Sequence, residues 1–120
     1  MLTAAFAVLG IAVALGAALF ILHLRGGIGA PRPLAVLHGL IGIGGLSCLI
    51  LALRQAPLRT GHGTTSFGVT GAALIAAAAL VGVTIFVLRS AGTARAGTLI
   101  GIHATLAVSG FVILAAYVLV

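Results

Sequence analysis

Four apolar stretches of membrane-spanning length make up most of this 120-residue chain, and all of its formal charge lies beside or between them. The stretches run roughly from Leu2 to Leu24, Pro33 to Leu53, Phe67 to Leu88 and Thr98 to Val120. Each is about 20 residues long, which as an α-helix is enough to cross a hydrocarbon layer of about 30 Å. They are apolar on every side, so none needs a water-facing surface. The sequence therefore predicts an all-α integral membrane protein.

The charged residues argue against both a soluble domain and a nucleic-acid-binding one. Only 5% of the residues are charged, and neither aspartate nor glutamate occurs. The six cations are all arginines, at positions Arg25, Arg32, Arg54, Arg59, Arg89 and Arg95. A nucleic-acid-binding surface would gather its cations in one patch with interleaved aromatic residues. These arginines instead flank the spans, which predicts contact with lipid and no nucleic-acid partner.

Short connections between the spans predict antiparallel neighbours, and hence a single membrane domain over residues 1–120 that folds as an up-down-up-down four-helix bundle. The two halves also resemble each other. HGLIGIGG at 38–45 aligns with HATLAVSG at 103–110, and ILHLR at 21–25 aligns with IFVLR at 85–89. These matches indicate two repeated helical hairpins, with chance similarity among apolar residues as the alternative. The single cysteine, Cys48, excludes an internal disulfide and is expected to be a small core residue.

The arginines also bear on orientation. We call side B the end of the bundle that holds the loops after the first and third spans, and side A the opposite end. Side B carries four of the arginines and side A two. Because cytoplasmic loops are enriched in cations, side B is expected to be cytoplasmic, in a bacterial inner membrane. The first span lacks a basic n-region and is expected to be retained rather than cleaved.

Two histidines occupy matching places in the spans. His38 and His103 lie about five residues into the second and fourth spans, which puts both roughly 8 Å inside the side-B boundary. The second and fourth helices of an up-down bundle face each other across its centre. Two imidazoles at equal depth on facing helices are what a haem iron with two histidine ligands requires. The alternative is that each histidine makes a hydrogen bond between helices.

Small residues follow each histidine on the same helical face. They stand four and seven positions later, at Gly42 and Gly45 after His38 and at Ala107 and Gly110 after His103. We expect them to leave a slot for a flat macrocycle on the side of the histidines that faces the bilayer centre. Close packing of helices is the alternative explanation, since small residues are common at helix contacts in membranes.

The absence of carboxylates narrows the chemistry further. It disfavours ion-coupled transport and metal sites that use a carboxylate ligand. Haem propionates would instead need cations, for which Arg25 and Arg89 are the candidates unless they serve only as interfacial anchors. His23 is a candidate for a propionate contact or a quinone or proton site at the rim, or else an interfacial residue. His62 is expected to be a solvated loop histidine.

The whole architecture resembles that of membrane b-type cytochromes, including the haem-carrying anchors of respiratory dehydrogenases. The residues that carry the resemblance are His38, Gly42, Gly45, His103, Ala107 and Gly110. It implies one haem b with His38 and His103 as axial ligands, in a subunit that is not itself an enzyme. Such a subunit exchanges electrons between a protein partner and the quinone pool, or anchors that partner; a homo-oligomer is also compatible. The alternatives are a cofactor-free structural or assembly subunit, and a subunit in which each histidine binds its own chlorophyll-type magnesium.

Overall fold

The computed structural model describes residues 1–25, 31–55, 64–90 and 96–119, which form four α-helices. They are α1 (Leu2–Leu24), α2 (Arg32–Gln55), α3 (Thr64–Ser90) and α4 (Ala96–Leu119). The predicted spans are confirmed, and α2 and α3 extend a few residues beyond the apolar stretches. All four helices are long and apolar enough to cross a membrane. The chain is therefore an integral membrane protein whose environment is a lipid bilayer.

The helices are arranged as a four-membered ring. α1 packs against α2 and α4, and α3 packs against the same two helices. Across the ring, α2 and α4 make no close backbone contact over the described ranges, so they are diagonal partners as expected. The bundle measures 49 × 22 × 22 Å along its principal axes, and its length exceeds a hydrocarbon layer of about 30 Å. This is the predicted four-helix bundle.

The bundle consists of two hairpins that bury equivalent residues. α1 buries Ala5, Leu9 and Ala12, and α3 buries Gly71, Ile75 and Ala78, each 66 positions later, together with Gly68. α2 buries Gly45, Leu49 and Ala52, and α4 buries Gly110, Leu114 and Tyr117, each 65 positions later. The pairing of His38 with His103 follows the same 65-residue offset. The pairing of ILHLR with IFVLR does not follow the α1-to-α3 offset, because Ile21 corresponds to Val87 rather than to Ile85.

A packed core fills the side-A part of the bundle. Leu49 of α2 and Leu114 of α4 are both fully buried, at 0% exposure. Phe6 of α1 stacks on Phe111 of α4, with ring centroids 4.8 Å apart and planes inclined by 3°. Because α1 and α4 belong to different hairpins, this stack joins the two halves of the bundle.

Packing differs on the two sides of the histidines. His38 is the seventh residue of α2 and His103 the eighth of α4. Both therefore lie about 9 to 11 Å from the side-B ends of their helices. All the buried residues within the described ranges lie level with this pair or on its side-A side. The side-B part of the bundle is correspondingly more open.

Two hydroxyl groups near the middle of the spans form hydrogen bonds inside their own helices. Ser47 donates to the Ile43 carbonyl at 2.9 Å, and Thr84 donates to the Leu80 carbonyl at 3.0 Å. Because hydrocarbon offers no hydrogen-bond partners, such bonds to the carbonyl one turn back let a hydroxyl face lipid. These side chains therefore impose no contact between helices.

The expectation that Cys48 belongs to the core is wrong. The residue is a free thiol with an exposed side chain. Its neighbour Leu49 is buried, and one step along a helix turns the side chain by about 100°. Cys48 therefore faces outward from the bundle.

Because Leu49 and Leu114 are equivalent core residues, we expect Leu49→Ala and Leu114→Ala to lower the free energy of unfolding by similar amounts, about 2–5 kcal/mol each. Denaturation of the protein in detergent micelles, followed by circular dichroism, would measure the loss. Leu80→Ala is the matched control, since Leu80 is 72% exposed. A control variant as unstable as the two core variants would contradict this description of the core.

Candidate functional site

Each inward histidine is held by a hydrogen bond to the other helix of its own hairpin. His38 Nδ1 lies 2.9 Å from the Ala12 carbonyl oxygen of α1, and His103 Nδ1 lies 2.7 Å from the Ala78 carbonyl oxygen of α3. A carbonyl oxygen can only accept, so Nδ1 carries the proton in both rings. In a neutral imidazole with this tautomer, Nε2 keeps its lone pair. Both histidines are thus oriented with Nε2 as an available metal-binding atom.

A glycine lies against each imidazole. A Cβ added to Gly16 would stand 3.0 Å from His38 Cε1, and one added to Gly82 would stand 3.1 Å from His103 Cε1. Both distances are shorter than ordinary van der Waals contact between carbon atoms. The imidazole therefore occupies the volume that a side chain would need at these two positions. Since its hydrogen bond also fixes the ring, it has little freedom to move aside.

The two histidines meet at the centre of the bundle. Their ring centroids are 5.9 Å apart and their planes are inclined by 84°. Both side chains are half-buried. Within the described part of the chain, neither Nε2 has a hydrogen-bond partner. Every side-chain nitrogen or oxygen atom there that is fully buried does have such a partner, so neither Nε2 is fully buried. Each Nε2 therefore keeps some accessible surface, which a ligand needs in order to reach it.

The expected slot on the bilayer-centre side of the histidines does not extend to Gly45 or Gly110. A Cβ at Gly45 would lie 2.9 Å from the side chain of Leu9, and one at Gly110 would lie 2.9 Å from that of Ile75. These glycines allow α2 to approach α1, and α4 to approach α3. The faces that follow the histidines are therefore turned toward the neighbouring helix, and at this depth that helix fills the space.

Gly42 and Ala107, the small residues nearest to the histidines, have a different environment from Gly45 and Gly110. No heavy atom lies within 4 Å of a Cβ added at Gly42, and Ala107 is half-buried. Each stands one helical turn from its histidine toward side A. Their assignment to a cofactor site stays a prediction.

The other residues assigned to the site lie closer to side B. His23, Arg25 and Arg89 are all exposed. Measured along the helices from Gly16 and Gly82, they stand about 10 to 13 Å beyond the histidine pair. The structure does not bring them into contact with the imidazoles, and their contact with a cofactor stays a prediction. His62 lies outside the described residues.

Four residues of the site were missed from the sequence. They are the two acceptors and the two glycines that face the rings, namely Ala12, Gly16, Ala78 and Gly82. Within each hairpin they form the same Ala-x-x-x-Gly pattern, AVALG at 12–16 and AALVG at 78–82. A small residue followed by another one turn later is a known signal of close helix approach in membranes. That signal, repeated in both halves opposite a histidine, would have located them.

The donor set restricts which metal site this pair can form. No group of three or more His, Cys, Asp or Glu residues comes together in the described ranges. A structural zinc site takes four protein ligands, so two imidazoles do not complete one. They do suit a metal whose other ligands come from a macrocycle. Metal–imidazole bonds of about 2.0–2.1 Å place two rings on opposite sides of one metal with centroids roughly 6 Å apart, close to the separation observed here.

Because Gly16 and Gly82 face the rings, we expect Gly16→Ala and Gly82→Ala each to lower the free energy of unfolding by about 1–3 kcal/mol through overpacking. Gly44→Ala is the control, since no heavy atom lies within 4 Å of a Cβ at that position. The control should be neutral or slightly stabilising, because alanine is the better helix former. Equal effects of the three variants on detergent-solubilised protein would show that the rings do not occupy this space.

The carbonyl acceptors also predict the tautomer. In protein labelled with ¹⁵N-histidine, we expect the Nδ1 resonances of His38 and His103 to show an attached proton in the neutral rings, and those of Nε2 to show none. Replacing one histidine at a time with alanine would assign the signals. A proton on Nε2 of either neutral ring would contradict the hydrogen bond to Ala12 or Ala78, because Nδ1 would then have no proton to donate.

No protein-family model matches this chain, and neither a curated protein nor a solved structure shows significant similarity to it. The inference about function therefore depends on the geometry of the histidine pair.

Proposed function

We propose that this chain is a membrane-embedded b-type cytochrome subunit that holds one haem between α2 and α4, with His38 and His103 as the axial ligands. The observation that carries the proposal is the separation of the two imidazole rings, 5.9 Å between centroids. It agrees with the roughly 6 Å expected for two imidazoles that share one metal. The rings come from diagonal helices of the same chain, so one chain would provide both histidine ligands of a shared metal.

The hydrogen bonds of the two rings support the same proposal. A histidine that binds metal usually donates its other ring N–H to a carboxylate, a backbone carbonyl or water, which fixes the tautomer and the ring orientation. Here the Ala12 and Ala78 carbonyls supply that arrangement for His38 and His103. A membrane-embedded chain without carboxylates can support a metal-binding imidazole only through such neutral acceptors.

The packing of the bundle favours the side-B side of the pair for the macrocycle. The core fills the side-A part as far as the histidines, whereas none of the described residues toward side B is buried. Arg25 and Arg89 are exposed at that end, and both are available to carboxylates at the membrane boundary. The chain has no carboxylate side chain that would compete for them.

The function that follows is electron transfer or anchoring within a larger assembly. A bound haem supplies one-electron chemistry, and the protein sets its potential through the axial ligands and their surroundings. His38 and His103 would hold the metal on both sides, and the apolar helices would exclude water from it. We expect the chain to exchange electrons between a protein partner and the quinone pool. We place it in a bacterial inner membrane with side B toward the cytoplasm.

Absorption spectroscopy of the purified protein tests the proposal. We expect a Soret band, with α and β bands that sharpen on reduction by dithionite. His38→Ala and His103→Ala should each abolish the low-spin signal, because each removes one of two axial ligands, whereas His62→Ala should leave it intact. Circular dichroism and gel filtration would confirm that the variants remain folded.

A second pair of variants sharpens the test. In His38→Gly and His103→Gly the lost ring leaves space, so added imidazole should restore a low-spin spectrum. Absence of haem from the native protein, or a low-spin spectrum in either alanine variant, would refute the assignment.

A cofactor-free structural subunit is the second candidate. The observation in its favour is that the hydrogen bonds to Ala12 and Ala78 already give each imidazole a partner on a neighbouring helix. On that view the histidines only join α1 to α2 and α3 to α4. A native protein without any visible absorption band would favour it. Separate chlorophyll-type ligation by each histidine would instead give far-red absorption bands.

A further inference from the structure

A shallow, largely open groove lies on the outer surface of the bundle near side B, between α2 and α3. It has a volume of about 580 Å³ and is lined by Arg32, Pro33, Val36, Leu37, Leu40 and Phe86. The five other residues are apolar, and Arg32 stands at the groove's side-B end as the first residue of α2. The distance along α2 from Arg32 to Leu40 is about 12 Å. The groove thus joins one cation at the membrane boundary to an apolar floor that extends into the hydrocarbon layer.

One hydrogen bond between the two helices places the cation beside α3. Arg32 Nη2 donates to Ser90 Oγ at 3.3 Å, and Ser90 Oγ in turn donates to the Phe86 carbonyl at 2.8 Å. A guanidinium has five N–H donors, so this bond leaves others for a ligand or water. The sequence contains no aspartate or glutamate that could take them. Arg32 also lies at the N-terminus of α2, where the helix dipole adds positive potential and an anion is favourable.

We propose that this groove binds one anionic phospholipid. Its phosphate would pair with Arg32 beside Ser90, and an acyl chain would lie along Val36, Leu37, Leu40 and Phe86. Charge complementarity identifies the occupant, because a neutral amphiphile would fit the floor equally well but leave the guanidinium without a counter-ion. This site is on the outside of the bundle and does not depend on whether the histidine pair binds haem.

The second hairpin provides an internal comparison. Its equivalent groove is lined by Thr98, Gly101, Ile102, Thr105 and Leu106. Thr98, Gly101, Ile102 and Thr105 correspond to Pro33, Val36, Leu37 and Leu40 at the 65-residue offset, and Gly97 stands where Arg32 would be. The two grooves are exposed to the same bilayer, but among the described residues that line them only Arg32 is a cation.

Native mass spectrometry of the full chain released from detergent tests the proposal. The probes are phosphatidylglycerol and phosphatidylcholine with identical acyl chains. We expect one phosphatidylglycerol to be retained in preference to phosphatidylcholine. Arg32→Gln should weaken phosphatidylglycerol binding about five-fold, since one arginine near an anionic lipid contributes roughly 1 kcal/mol. Arg54→Gln is the matched control, because it removes the same charge from the other end of α2.

Leu40→Trp, which fills the floor, should weaken the binding of both lipids. Circular dichroism would confirm that each variant is folded. If the native protein retained phosphatidylglycerol and phosphatidylcholine equally, the groove would suit a neutral amphiphile such as a quinone. If Arg32→Gln and Arg54→Gln weakened phosphatidylglycerol binding equally, the binding would depend on the net charge of the protein and not on Arg32. Either result, or unchanged phosphatidylglycerol binding in Leu40→Trp, would overturn the proposal. The haem spectrum should be unaffected in all three variants, so failure here is distinct from failure of the proposed function.

Discussion

The hydrogen bond from an inward imidazole to a backbone carbonyl is the interaction on which the centre of this bundle depends. In hydrocarbon, helices gain little from the hydrophobic effect when they associate, so packing and polar contacts decide their arrangement. Each hairpin has one such bond, from His38 to Ala12 or from His103 to Ala78. The bond fixes how the two helices are aligned along their axes, and it requires a glycine one turn beyond the acceptor. It also leaves Nε2 as the ring nitrogen without a proton.

Duplication converts this local arrangement into a site. A single hairpin with one imidazole has a helix-joining bond and nothing more. When two equivalent hairpins pack together, α2 and α4 become diagonal partners, and the two imidazoles come within 5.9 Å of each other at the same depth. The Phe6–Phe111 stack and the buried leucines hold the hairpins together on the side-A side. The internal repeat thus creates a pair of nitrogen donors next to the more open half of the bundle.

The spans and the histidine pair could be predicted from the sequence because their signals are strong. A stretch of about 20 apolar residues has few alternatives to a membrane helix, and an imidazole is rare enough in one to be noticed. The choice between a cofactor slot and close helix packing at Gly45 and Gly110 could not be made, because helical periodicity shows which residues share a face but not which helix that face meets. The same limitation explains the error at Cys48. The alignment of α1 with α3 failed because apolar residues repeat so often that a shift of two positions still gives plausible matches.

The absence of carboxylates connects the interior of the bundle with its surface. The sequence has no aspartate or glutamate, so no carboxylate side chain of this chain can neutralise an arginine in these helices. At side B, two kinds of position compete for other anions. Arg25 and Arg89 lie at the ends of α1 and α3, level with the more open half of the bundle, whereas Arg32 is held by Ser90 over an outward-facing groove. Because Arg32 bonds to Ser90 on the outer surface, the carboxylates of the proposed haem would pair with Arg25 and Arg89 rather than with Arg32. The hydrogen bond between Arg32 and Ser90 therefore divides the proposed roles of the arginines at this end of the molecule, with Arg32 left for the proposed lipid.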